Sequence, residues 1–260
     1  MQPLLVLLVV GIAGGAEPTP RVDALVEQAL HRGSEVAPSQ EGTERAVRLK
    51  VAASVKRAYY RLRHAYAACD YIERDRESLR NLLRIAEANY SSGKALQQDV
   101  LKAQVEISLL EPQLVGTEHD LRAREAEINE LLGRCLDCPL GRPPDEKPPA
   151  LRLTLAQLQA RAGQAVDDAR PLPNEVRDSF LAAQDAATTM DIYDRTILPQ
   201  SRFAAHSSLI SYENGTSDFL SVVANYTTAF EAERTYNNQV ETFSLALVRL
   251  EELTGVELIH

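Results

Sequence analysis

The sequence is poor in aromatic residues and cysteine, and it lacks a long uninterrupted apolar run. Its 260 residues include no Trp, 5% aromatic residues, three Cys and 12 Gly. Three cysteines are too few for a disulfide-rich scaffold. No segment has 18 consecutive apolar residues, so we predict no transmembrane helix. We also find no convincing run of alternating apolar and polar residues, and therefore predict no β-strand.

Signals for nucleic-acid binding and for catalysis are also missing. The net charge is −9, and no long basic stripe occurs that could bind phosphates. The histidines share no spacing typical of metal ligands, and no serine or carboxylate lies in a known catalytic motif. We therefore predict no enzyme, no metal, no cofactor and no nucleic-acid partner. The five histidines are His31, His64, His119, His206 and His260.

The N-terminus differs in composition from the rest of the chain. A compact apolar run from Leu4 to Ile12 is followed by the small residues "AGGA" at 13–16. The run is too short to cross a bilayer, and small residues are typical of a signal-peptidase site. We predict a signal peptide at residues 1–16 and an exported protein.

A proline-rich segment, "RCLDCPLGRPPDEKPPA", occupies residues 134–150 and cannot continue a helix. It predicts a division into a first repeat at 17–133, this linker, and a second repeat at 151–260. Within the linker, Cys135 and Cys138 have the spacing of a local disulfide, which export would permit. A disulfide and two ordinary linker thiols both remain open from the sequence alone.

The two halves contain one recurring segment. "YSSGKALQQDVL" begins at Tyr90 and "YENGTSDFLSVV" begins 122 residues later. In each copy a Gly follows the Tyr by three residues, and another Gly lies 40 residues further on, at Gly133 and Gly255. A Gly that follows a helical run is typical of a helix C-terminus or a chain reversal. Each half is therefore predicted to turn back at its Tyr-x-x-Gly.

Apolar residues spaced by seven run through the flanking segments, as in helices with coiled-coil packing. The sequence predicts an all-α fold of two tandem antiparallel hairpins, at 44–133 and 174–255. Pro112, Gly116 and Pro199 are predicted to weaken or kink these helices. The predicted seam positions include Val51, Ala58, Ala65, Ile72, Leu79 and Ala86 before the first turn, Leu96, Ala103 and Leu110 after it, and Val222, Ala229, Tyr236, Phe243 and Leu250 after the second turn.

The repeated Tyr-x-x-Gly segments, "ILPQ" at 197–200 and the closing "EINELLG" and "LALVRLEELTG" resemble the TolC-like outer membrane efflux proteins. The resemblance covers about residues 49–133 and 176–255. It implies a role as the helical periplasmic duct of a multi-component efflux system in a Gram-negative-type envelope. It also implies a homotrimer, a periplasmic adaptor and an inner-membrane pump as partners, and location in the periplasm or at the outer membrane.

The same resemblance implies the functional residues. The docking tips for the adaptor would include Tyr90, Gly93, Lys94, Tyr212, Gly215 and Thr216. Asp99 would face a constriction of the duct, although an acid just after a turn, such as Asp99 or Asp218, is also typical of a helix N-terminus.

Two departures from the family pattern leave an alternative open. The spacing before each long helix has no room for the family's β-strands, so we predict a chain without the β-barrel. Lys102 and Ala224 stand where the family often has an acid, three residues beyond the position of Asp99. The alternative is a structural or degenerate helical-hairpin protein of the cell envelope without transport activity.

Overall fold

A computed structural model describes residues 21–34, 41–144, 146, 148, 150–163 and 173–258. Seven α-helices and one π-helical turn make up this part of the chain. They are α1 (Val22–Ser34), α2 (Glu41–Ser91), α3 (Gln97–Leu132), α4 (Leu155–Gly163), α5 (Pro173–Ile192), the π-helical turn Tyr193–Ile197, α6 (Leu198–Glu213) and α7 (Phe219–Thr254).

The first hairpin consists of α2 and α3, with 51 and 36 residues. At about 1.5 Å per residue, α3 extends over about 54 Å. It runs without interruption through Pro112 and Gly116, although a proline removes one hydrogen bond of the helix. It ends at Gly133, which has φ of +66°. The N–H groups of Gly133 and Arg134 donate to the carbonyls of the last helical turn.

The second hairpin consists of α5, the π-helical turn, α6 and α7. Pro199 lies at the start of α6, directly after the π-helical turn. Here the Leu198 N–H bonds to the Tyr193 carbonyl, five residues back, so the chain has taken up one extra residue. This extra residue lies just before Pro199, whose ring would clash with the preceding turn of a regular α-helix. The predicted fault at Pro199 therefore coincides with a change of helix type.

The long helices lie side by side in the order α3, α2, α7 and then α5–α6. Two apolar cores hold them together. One lies near the base, where α1 and α4 add Leu25 and Leu158, both fully buried. The other lies towards the turns and includes Leu82, Val222 and Phe219. The bundle therefore has a base end, where α1 and α4 pack, and a tip end, where both hairpins reverse.

Ion pairs join the two hairpins along the contact between α2 and α7. At the base, the Lys56 ammonium lies 2.9 Å from the Glu251 carboxylate, and both side chains are buried. Next to it, Arg57 pairs with Glu252 at 2.9 Å. A buried pair is costly to break, because removal of one partner leaves an uncompensated charge in the interior.

The linker is held against the first hairpin. Cys135 and Cys138 form a disulfide, which decides between the two alternatives left by the sequence. The fully buried Asn129 side chain donates to the carbonyls of Leu136 and Cys138, at 3.0 and 2.8 Å. Further along, Leu140 is buried in the base core. The disulfide thus closes a loop within the linker, and the Asn129 amide and the Leu140 side chain anchor the linker to the bundle.

The predicted all-α fold of two long antiparallel hairpins is confirmed. The described residues contain no β-strand, and none of their helices is long and apolar enough to cross a membrane. The division at 17–133, 134–150 and 151–260 stays a prediction, and the predicted signal peptide lies outside the described residues.

Candidate functional site

The first tip joins α2 to α3 through a tight reversal. The Gly93 N–H donates to the Tyr90 carbonyl at 2.9 Å, and the Lys94 N–H donates to the Asn89 carbonyl at 2.8 Å. This pair of bonds is the Schellman motif, which satisfies the last carbonyls of a helix. Gly93 has φ of +72°, a conformation that costs a side-chain-bearing residue roughly 1–2 kcal/mol.

The second tip has the same hydrogen bonds. The Gly215 N–H donates to the Tyr212 carbonyl at 3.0 Å, and the Thr216 N–H donates to the Ser211 carbonyl at 2.8 Å. Gly215 has φ of +71°. The space where a Cβ would stand is open at both tip glycines, so the requirement for glycine comes from the backbone conformation alone.

The residues after the two turns differ. Leu96 precedes α3 without a side-chain cap, whereas the equivalent Asp218 caps α7. The Asp218 carboxylate accepts from the Ser221 N–H at 2.8 Å and from the Ser221 hydroxyl at 2.7 Å. These hydrogen bonds lower the pKa of Asp218 below its usual value. Asp218 therefore acts as a helix N-cap, one of the roles open from the sequence.

Tyr212 connects the two tips. Its ring is buried and packs edge-on against Phe219, with the ring centroids 5.4 Å apart. Its hydroxyl donates to the Asp99 carboxylate at 3.2 Å, and the Asn89 side chain also hydrogen-bonds it. Burial and the Asp99 carboxylate raise the pKa of Tyr212 to about 12. Asp99 and Tyr212 thus tie the start of α3 to the end of α6.

The other predicted tip residues face outward. Tyr90 is 47% exposed, and Lys94, Gly93, Gly215 and Thr216 are exposed as well. The structure therefore brings all six predicted tip residues to one end of the bundle. It presents five of them on the surface and places Tyr212 in the interior.

Two exposed leucines at the tip end were missed by the sequence reasoning. Leu96 was predicted to lie in the apolar seam, and this was wrong: the residue is 63% exposed, because it precedes the first helical turn. Leu220, in the first turn of α7, is equally exposed. The heptad pattern alone could not identify them, since the seam begins only where the helix is regular. Each tip therefore carries one outward-facing leucine.

Lys102 lies one turn beyond Asp99 and pairs with Glu106 at 2.6 Å along the same helix. Among the residues that the structure describes, no group of three or more His, Cys, Asp or Glu side chains could hold a metal ion. The tip end thus presents a mixed polar and apolar surface.

Comparison with known proteins points in one direction. Residues 21–134 match the family model described as outer membrane efflux protein. The fold is similar to the outer-membrane channel OprN, with a TM-score of 0.69, 15% identity, and coverage of 90% of this chain and 71% of that chain. The fold is also similar to CusC, with a TM-score of 0.64 and 12% identity, over 90% of this chain and 73% of that chain. For VceC, an outer membrane protein of Vibrio cholerae, the TM-score is 0.60 and the identity 15%, over 90% of this chain and 75% of that chain.

No curated protein matches the chain by sequence. The family match covers most of the first predicted repeat, and the structural matches extend the likeness in fold over 90% of the chain. The resemblance to outer membrane efflux proteins that the Tyr-x-x-Gly repeats predicted is therefore confirmed.

Proposed function

We propose that the chain forms the helical periplasmic duct of an outer membrane efflux system and docks an adaptor with its paired tips. The observation that carries this proposal is the pairing of the tips. Two reversals with the same hydrogen-bond pattern lie at one end of the bundle and contact each other through Tyr212 and Asp99. The family match of residues 21–134 supports an efflux role for this architecture.

In this proposal the outward-facing tip residues make the contact with the adaptor. Tyr90, Lys94 and the two tip leucines present an aromatic ring, a cation and apolar side chains at the tip end. The ring and the leucines suit the centre of an interface, and the cation suits its polar rim. The rigid glycine turns hold these side chains in place without a loop that must be ordered on binding.

The duct itself would require several copies of the chain, and the two edge helices offer surfaces for them. On α3, exposed apolar side chains follow one another at helical spacing, and α5–α6 carry a second such stripe at the opposite edge. A contact between unlike edges repeats from copy to copy, and it closes into a ring when the rotation between neighbouring copies divides a full turn. The α3 stripe is Leu101, Val105, Leu109 and Val115, and the α5–α6 stripe is Leu181, Ile192, Phe203 and Ile210.

We place the constriction of the duct at Asp99. Its carboxylate is half-buried and held by the Tyr212 hydroxyl, so its position is defined by both hairpins. A relative movement of the hairpins would then shift Asp99. Asp99 is the acidic residue in the first turn of α3. Lys102, one turn later, pairs with Glu106 instead.

The test of docking is complementation of a gene deletion. Accumulation of an ethidium-type dye in the cells reports efflux, and the variants Tyr90→Ala and Lys94→Glu change the tip surface only. We expect these variants to accumulate dye as the deletion strain does, with normal helix content by circular dichroism. Lys50→Glu, at an exposed lysine of α2 about 40 residues before the first tip, serves as the matched control and should restore efflux.

Unchanged dye accumulation on deletion of the gene would contradict the proposal. That outcome would favour the alternative of a structural hairpin protein without transport activity. Self-association has its own test, in which light scattering after size-exclusion chromatography compares the wild type with Leu109→Glu and Phe203→Glu. We expect a trimer for the wild type and a smaller mass for both variants. A wild-type monomer would contradict the duct.

A further inference from the structure

The junction of the two hairpins contains a buried acid, Asp75, which the duct model does not use. It is 6% exposed and lies on α2, where the helix packs against α7. Ala68, Asp75 and Leu82 are spaced by seven and are all buried, so Asp75 occupies a seam position of the coiled coil. A carboxyl group at such a position costs stability when it is ionised.

The hairpin architecture does not require this acid. The positions 122 residues later, in the second hairpin, carry only apolar side chains. They are Met190, Ile197 and Ala204. The acid therefore needs an explanation specific to the junction between the hairpins.

A second carboxylate lies beside Asp75. Glu233 of α7 is held by two arginines: Arg74 of α2 is hydrogen-bonded to it, and Arg202 of α6 lies 3.6 Å away. Glu233 thus has two cationic partners that join three helices. Ionisation of Asp75 would place a second negative charge next to the Glu233 carboxylate.

The other charges around Asp75 compensate only in part. Arg74 and Arg234 of α7 attract its carboxylate, while Glu233 repels it. Tyr71, one turn before Asp75, is buried too, and α3 contributes Glu111, which pairs with Arg76 at 3.6 Å. These surroundings favour the neutral carboxyl over the carboxylate.

We propose that Asp75 makes the hairpin junction proton-sensitive, closed when the carboxyl is protonated and loosened when it ionises. The inference concerns the contact between α2 and α7 and does not depend on the proposed function. Loosening would let the two hairpins separate towards the tips, where the Tyr212–Asp99 hydrogen bond would break, because the buried Lys56–Glu251 pair holds them at the base.

The sign of the pH effect follows from the titration of Asp75. Burial, followed by repulsion from Glu233, raises its pKa from 3.8 to about 7. The closed form therefore keeps a proton that the open form releases. Its advantage is complete below about pH 4 and is lost as the pH rises to about 7.

The experiment measures the distance between nitroxide labels on the two hairpins of the full chain. Labels at Arg84→Cys and Ala224→Cys, both exposed sites on α2 and α7, are read by pulsed electron spin resonance in a Cys69→Ser background. We expect one narrow distance at about pH 4 and a second, longer distance that appears as the pH rises from about 4 to about 7. The same distribution from about pH 4 to pH 9 would overturn the proposal.

Variants separate Asp75 from other proton acceptors. Asp75→Asn should keep the narrow distance at every pH, and Asp75→Leu provides a second test if the amide does not fold. Glu77→Gln, an exposed acid two residues away, should behave as the wild type. His64 lies 3.7 Å from Glu241 in the same α2–α7 contact, and His64→Gln should also leave the midpoint unchanged. A pH-dependent distance that persists in Asp75→Leu, or disappears in His64→Gln, would overturn the assignment.

Discussion

The two tips share one turn and differ in the side chains around it. Gly93 and Gly215 have φ values within one degree of each other and close their helices with the same pair of hydrogen bonds. Yet Tyr90 is 47% exposed, whereas the equivalent Tyr212 is 5% exposed. The shared geometry of the two turns therefore does not determine whether the tyrosine before the glycine is exposed or buried.

The difference arises from the neighbours of each tip. Tyr212 lies at the junction of the hairpins, where Phe219 and Asp99 surround it. Tyr90 is about half exposed and has no such partner ring among the aromatic contacts of the described residues. One tip thus supports the other, and the exposed one offers more surface for a partner. Substitutions at equivalent positions can test this assignment of roles.

The tyrosines should show the largest contrast. Tyr212→Ala removes a buried ring and its contact with Phe219, and we expect a loss of about 3 kcal/mol in the free energy of unfolding. Tyr90→Ala removes an exposed ring and should cost less than about 0.5 kcal/mol. Urea denaturation monitored by circular dichroism measures both. Equal losses would mean that the two tips are supported alike.

The hydroxyl of Tyr212 can be tested separately. Tyr212→Phe keeps the ring and removes the hydrogen bond to Asp99, for which we expect a loss of about 1 kcal/mol by the same urea measurement. Combination with Asp99→Ala should add little further loss, since both changes remove one interaction. Full additivity would show that the 3.2 Å contact contributes nothing to the junction.

The tip glycines should respond alike, because their backbones are the same. Gly93→Ala and Gly215→Ala each place a side chain at positive φ, and we expect each to lower the free energy of unfolding by about 1 kcal/mol. Gly116→Ala is the control inside α3, where the added Cβ meets nothing within 4 Å. It should raise stability by up to about 1 kcal/mol, a change of opposite sign.

The sequence predicted the parts of this fold that depend on local chemistry. Spacing by seven predicted the long helices, and Gly at a fixed distance from Tyr predicted both reversals. The sequence could not predict which tyrosine is buried, since Tyr90 and Tyr212 have equivalent local contexts. Their difference depends on contacts between hairpins more than 100 residues apart in the chain, such as that of Tyr212 with Asp99.

The same limit applies at Leu96 and Asp75. Leu96 fits the heptad in sequence, but the helix begins one residue later, so its side chain faces solvent. Asp75 lies in the seam although its charge predicts a surface position. Both positions depend on where the helix starts and on which helix packs beside it, and neither is encoded by a local pattern.

The smallest contrast concerns the residue before each outgoing helix. Asp218 caps α7 and Leu96 leaves α3 uncapped, so Leu96→Asp should raise the free energy of unfolding by about 1 kcal/mol. Asp218→Ala should lower it.

The contribution of Asp218 to stability should depend on pH. Because hydrogen bonds from Ser221 lower the pKa of Asp218, this contribution is complete above the pKa of the unfolded chain and is lost as the pH falls through the pKa of the folded protein. The difference between wild type and Asp218→Ala should therefore shrink below about pH 4. A constant difference from neutral to acidic pH would show that the carboxylate does not act as the cap.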